Sequence, residues 1–256
     1  MKTEIIKQAI KIGNSSGVIL PKAWENRKVK VELVEDSINK DILEIINEKG
    51  LLSEVVGIYL VGSYARSEET PESDIDILIV TENTNKNIVR GNYEILIISK
   101  KNLEKNLKKN LYLYSMVNEA KPILNKSLLK KYKEINHNLP EKKIINEIKS
   151  VLNINKETAK ISQEHGKPVL DGTAYSVILR IKELFILYCI IKKKKYSKRE
   201  FLKTLLEKNA EESYNAYLRV KNDSKNKNNI NPEEIISLIE FSENLIKKII
   251  GNGKKK

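Results

Sequence analysis

Two acids one residue apart, Asp74 and Asp76 in SDIDILIV (Ser73–Val80), are the residues of this chain most suited to chemistry. Alternate residues of a strand share a face, so the two carboxylates would project together while Ile75 and Ile77 enter the opposite, buried layer. Held that close, one acid is driven toward its protonated form, and a divalent cation reverses the preference. Hard oxygen ligands with positions left for phosphate suit Mg²⁺. Upstream, the apolar run VVGIYLV (Val55–Val61) leads directly into Gly62-Ser63-Tyr64-Ala65-Arg66. Glycine there allows close backbone approach to a phosphate, Ser63 and the backbone N–H groups can donate to its oxygens, and Arg66 can add a bidentate contact. A third acid, Glu94, opens YEILIIS (Tyr93–Ser99). If that strand lies beside IDILIV, Glu94 reaches the same metal site or serves as base toward an acceptor hydroxyl.

The elements that must position these groups read as three segments. Residues 37–135 alternate strands with helices: the amphipathic DILEIINEKGLL, the three apolar runs just named, and KKNLEKNLKKN as an exposed helix, which together give an α/β domain with a small mixed sheet. Residues 140–250 carry helical periodicity in TAYSVILRIKELFILYCII, SKREFLKTLLEK and PEEIISLIEFSENLIKKII, and predict a helical bundle of four or five helices. The polar KNDSKNKNNINPEE stretch reads as a solvated loop, and residues 251–256, after a Gly stop, as a disordered tail. Residues 1–36 read as strands broken at Asn14-Ser15-Ser16-Gly17, with Pro21 opening a short helix and VKVELVE alternating as a half-buried strand. So small a segment needs a partner to bury a core. The fold class is α+β, multidomain.

Gly62, Ser63, Asp74 and Asp76 resemble the motif of the nucleotidyltransferase fold in the DNA polymerase β superfamily, particularly its small prokaryotic and kanamycin-nucleotidyltransferase-like branches. VNEAKPILN resembles the segment that follows the third strand in that family. The resemblance covers about residues 41–132, and the helices beyond look like the bundle those enzymes append. It implies a metal-dependent transferase with two Mg²⁺ ions held by Asp74, Asp76 and a third carboxylate at Glu94. ATP or another nucleoside triphosphate would supply the nucleotide, with AMP passing to a hydroxyl on a protein or small molecule, as in antitoxin-type adenylyltransferases. Two positions depart from the family pattern: Ser67 stands where Gly usually follows the Arg, and Glu94 where Asp is the common third acid. Some toxin-type bundles carry an Arg-x4-6-His motif; Arg219 is followed by no such His, which speaks against ribonuclease activity.

KIGNSSGVILPKAW with RKVKVELVE resembles the AbrB/SpoVT swapped-hairpin family. That resemblance implies a homodimer and DNA contact, with Lys7, Lys11, Lys22, Arg27 and Lys28 as phosphate neutralisers. It supports an alternative function, a DNA-binding autoregulator whose nucleotidyltransferase domain only senses nucleotide or is inactive.

Composition agrees with an anionic partner and excludes other classes. The 256 residues carry a formal charge of +13 with 40% apolar content, enough for sizeable cores. One cysteine, Cys189, lies inside the apolar LFILYCII, and the two histidines, His137 and His165, are far apart. A structural zinc site or a Cys/His nucleophile pair therefore has little support, and metals here should be oxygen-ligated. The longest apolar run, Leu184–Ile191, is far short of the about 18 residues that cross a bilayer, and the first residues lack a signal-peptide apolar region. A cytoplasmic protein is expected.

Overall fold

A computed structural model describes residues 10–29, 31, 38–71, 73–136 and 138–253. The chain divides into two compact units, one ending at Glu44 and one beginning at Ile45.

In the first unit, β1 (Ile10–Ile12) pairs antiparallel with β2 (Ser15–Gly17), with Ile12 opposite Ser15. The reversal is therefore on Gly13-Asn14, one residue ahead of the Asn14–Gly17 turn expected, because Gly13 supplies the positive φ of +58°. Pro21 precedes a single 3₁₀ turn, Lys22–Trp24. Most of the alternating VKVELVE strand and Lys7 lie outside the described residues. Lys11, Lys22, Arg27 and Lys28 are exposed. The helix α1 (Ile38–Glu48) follows.

The second unit holds a five-stranded mixed sheet in the order β5-β6-β4-β3-β7. Its strands are β3 (Val55–Leu60), β4 (Ile75–Thr81), β5 (Lys86–Arg90), β6 (Tyr93–Ser99) and β7 (Lys121–Leu124). Central β4 is apolar almost throughout because both of its faces are covered, and it runs parallel to β6 and antiparallel to β3. The two edge strands are short, and β7 carries Pro122, as an edge tolerates. Three helices, α3 (Lys100–Leu107), α4 (Leu111–Glu119) and α5 (Lys126–Lys133), supply Leu103, Leu107, Leu113, Val117, Leu129 and Tyr132 to a core with Tyr59, Leu78 and Val80. The helix expected to be exposed over residues 100–110 thus buries Leu103 and Leu107 completely.

Five further helices form the bundle: α6 (Glu141–Glu164), α7 (Asp171–Ile191), α8 (Lys198–Leu206), α9 (Glu211–Lys221) and α10 (Pro232–Gly253). Apolar on nearly every side, α7 is the helix around which α6, α9 and α10 pack. Gly251 does not stop α10, which runs on through Gly253, while residues 254–256 lie outside the described set. The polar stretch after α9 is anchored rather than merely solvated: Ile230 is buried and bridges to Val169. No helix among the described residues is long and apolar enough to cross a membrane.

Candidate active site

Register places two of the three acids side by side. β4 and β6 pair with Asp76 directly beside Glu94, so both side chains leave the sheet on one face. Asp74 lies just ahead of β4 rather than on it, and its side chain is 41% exposed. Ile75 and Ile77 are buried, as the alternation requires. Burial first, and then the neighbouring Glu94 charge, push the Asp76 carboxyl up to about 6; Lys221 opposes the rise and Asp74 adds to it.

Gly62 meets the acids from the next strand. The sequence GSYAR, expected as a turn, is a short helix, α2 (Gly62–Arg66), entered directly from β3. Gly62 has φ +67°, and a Cβ on it would fall 1.9 Å from Asp76 Oδ2. Glycine is therefore required here on two counts, the left-handed backbone and the carboxylate that fills the space of the missing side chain. Val61 N–H donates to the Asp76 carbonyl at 2.9 Å, which locks bend and acid together. Ser63 is buried, with 8% exposure.

Arg66, expected to donate to phosphate, donates instead to two carboxylates. Its Nε reaches Glu68 at 2.9 Å and its Nη1 reaches Glu119 at 2.6 Å. Glu119 also accepts the Gly62 N–H at 3.1 Å. The guanidinium lies over the Tyr196 ring, 5.2 Å from its centroid. Glu68 in turn accepts from Ser197 Oγ and from the backbone N–H groups of Lys198 and Arg199 at the start of α8. This cluster joins the sheet domain to the bundle. Ser67 adopts φ +58° where glycine would be unstrained, and its hydroxyl accepts from Lys121 Nζ at 3.1 Å.

Sequence reasoning missed the cations that face the acids. Lys221, at the end of α9, holds its Nζ 3.8 Å from Asp74 Oδ2. Lys182 interrupts the apolar surface of α7; burial first, then the charges of Lys221, Arg66 and Lys198, hold its ammonium below the ordinary lysine range, while Asp76 pulls the other way. The signal for it in the sequence is faint, a lysine set into an otherwise apolar helix. Arg219 is structural: it pairs with Asp171 at 2.6 Å and with Glu212 at 2.9 Å.

Asp74, Asp76 and Glu94 offer the hard oxygen donors a divalent cation takes, and the raised Asp76 carboxyl marks a place where positive charge is favoured. Among the described residues no group of three or more Asp, Glu, His or Cys side chains is arranged to hold a metal ion by itself.

Two solved structures are similar to this chain: a nucleotidyltransferase-like protein from Exiguobacterium sibiricum (16% identity, 86% of this chain and 78% of that one, TM-score 0.35) and spectinomycin adenyltransferase AAD(9) from Enterococcus faecialis with ATP and spectinomycin (14% identity, 82% and 98%, TM-score 0.43). No curated protein sequence matches significantly. The nucleotidyltransferase domain family matches residues 39–203, from α1 into α8 and across the acids, the Gly62 bend and Lys182, and the chain belongs to that family.

Proposed function

We propose that this nucleotidyltransferase moves a nucleoside monophosphate, AMP from ATP, onto a hydroxyl of a protein or small-molecule acceptor. The observation that supports this reading is the division of the site by charge: Asp74 and Asp76, with Glu94 beside Asp76, face Lys182 and Lys221 on the helices. A lone anion would need only the cations, and a lone metal only the acids. A metal-bound triphosphate needs both.

Asp74, Asp76 and Glu94 would hold two Mg²⁺ ions, which when bound lower the pKa of an acceptor hydroxyl and offset the charge of the phosphates. Lys182 and Lys221 donate to triphosphate oxygens from the opposite wall. Gly62 and Ser63 bring the bend against the same phosphates, and Arg66 supports that bend through Glu119 instead of touching nucleotide. Glu94 takes the proton from the acceptor hydroxyl. The acceptor oxygen then bonds to the α-phosphorus as the bond to the bridging oxygen breaks, and pyrophosphate leaves. Positioning and electrostatics account for most of such catalysis.

The test is incubation with Mg²⁺ and α-labelled ATP against candidate acceptors, proteins and small hydroxyl compounds alike. Label transfer that is lost in both Asp74→Ala and Asp76→Ala is expected; transfer that persists in them would refute the site.

A second reading rests on the exposed Lys11, Lys22, Arg27 and Lys28 of the first unit. They would contact DNA phosphates as a homodimer, making the chain an autoregulator. Binding would then weaken steeply with salt in a gel-shift assay and survive removal of the residues after Asp36.

A further inference from the structure

On the far side of Glu119 from the Gly62 bend lies a cavity of about 580 Å³, walled by α4, the end of α7 and the segment that follows it. Its lining supplies hydrogen-bond donors that the protein leaves unused. Among the described residues, the side chains of Ser115, Asn118 and Asn136 make no hydrogen bond, and Lys193, Lys194 and Lys195 make neither a hydrogen bond nor an ion pair. The carboxylate in the wall, Glu119, is already engaged by Gly62 and Arg66, so it neutralises none of the three lysines. Lys133 adds to the local charge: burial first, then the nearby Lys195, hold its ammonium below the ordinary range. The apolar floor is Ile186, Cys189 and Ile190.

The three lysines lie on a strained reversal of the chain. Beyond α7 the chain reverses with Lys193 at φ +53°, and Lys194 N–H returns to the Cys189 carbonyl at 2.8 Å. Glycine is the usual residue at such a helix end, and a lysine there carries about 1 kcal/mol of strain. A third lysine in place of a free glycine adds one more positive charge to the cavity.

We infer that this cavity binds a small organic phosphate, an ester whose dianionic group meets Lys193–Lys195 and whose hydroxyls meet Asn118, Asn136 and Ser115. Its volume lies within the roughly 300–1,000 Å³ of small-molecule sites. Three ammonium groups recognise the phosphate as point charges, and the carboxamides, able both to donate and to accept, recognise hydroxyls. This inference does not rest on the proposed transferase activity.

The experiment is titration calorimetry of the full chain with glucose 6-phosphate and with inorganic phosphate at fixed ionic strength, in the absence of nucleotide and metal. A triple Lys193→Gln, Lys194→Gln, Lys195→Gln variant is compared with a triple Lys142→Gln, Lys143→Gln, Lys149→Gln variant on α6, which removes the same net charge elsewhere; all six lysines are exposed, so both variants fold. The expected result is one glucose 6-phosphate per chain, bound at least tenfold more weakly by the first triple variant and within twofold of the parent by the second. Asp76→Asn binds like the parent. Equal loss in both triple variants, no loss in the first, or absence of binding to the parent overturns the site. Equal affinity for the ester and for inorganic phosphate overturns its assignment to an organic phosphate. Because no turnover is measured, failure here leaves the transferase reading intact, and loss of label transfer leaves this result intact.

Discussion

Asp171 and Asp76 are two acids of the second unit with opposite surroundings. The Asp171 side chain has no exposed surface and accepts four hydrogen bonds, from Arg219 Nε at 2.6 Å and Nη2 at 3.1 Å and from the N–H groups of Lys227 at 3.2 Å and Asn228 at 2.9 Å. The Arg219 contact above all holds its carboxyl below the usual range. Asp76 is also withdrawn from water, yet its neighbours are Glu94 and Asp74, and its carboxyl is pushed up to about 6. One acid has its charge satisfied by the fold. The other is kept at a cost to the fold, and that difference separates an acid that holds helices together from one that waits for a ligand.

The comparison is broken most directly at Asp76. Asp76→Asn should lower label transfer from α-labelled ATP by about a thousandfold or more, while its melting temperature stays level or rises, because a charge that burial and then Glu94 disfavour is removed. Loss of both stability and transfer would make Asp76 a structural acid like Asp171. The reciprocal change, Asp171→Asn, should cost about 3 kcal/mol or more by leaving Arg219 with Glu212 as its one remaining carboxylate, with transfer retained at temperatures where the variant is folded. Denaturant titrations across pH sharpen the point. Since the folded carboxyl lies below its unfolded value of about 3.9, the parent's advantage over the variant is full above that value and vanishes as pH falls through the folded one.

A smaller effect is expected on the basic wall. Lys182→Met should weaken ATP binding about tenfold by calorimetry and leave stability level or improved, since a desolvated ammonium is replaced by an apolar chain of similar length. The smallest concerns the link between the halves: Ser67→Gly relieves the left-handed strain and should add about 0.5–1 kcal/mol in thermal melts, less what the Lys121 contact contributes.

The acid side of the site was legible because its signals are local. Alternation in IDILIV buries Ile75 and Ile77 and turns Asp76 to the other face, although Asp74 falls just ahead of the strand; an apolar run on each side marks two neighbouring strands, and a glycine set directly after a buried strand marks a bend that other residues would strain. Pairing of Asp76 with Glu94 required in addition that β4 and β6 be adjacent, parallel and in register from their first residues. The basic side was not legible, since Lys182 and Lys221 reach the acids through the packing of α7 and α9, and among so many lysines nothing nearby distinguishes them. The carboxylate partners of Arg66 were not legible for a related reason: of Glu68 and Glu119, one is remote in sequence. Edge strands β5 and β7 escaped because they are short, one mostly polar and the other broken by Pro122, and their order comes from the ladder. Asp171 drew no attention because its donors in the 222–231 loop are brought to it only by the completed bundle.

Glu68 reaches from the loop after α2 to the first turn of α8, where Ser197, Lys198 and Arg199 all donate to it, while Arg66 binds its other side. A carboxylate that caps a helix of the bundle and also clasps an arginine of the sheet domain behaves as a rivet. At this point the sheet domain and the bundle are pinned to each other rather than free to swing.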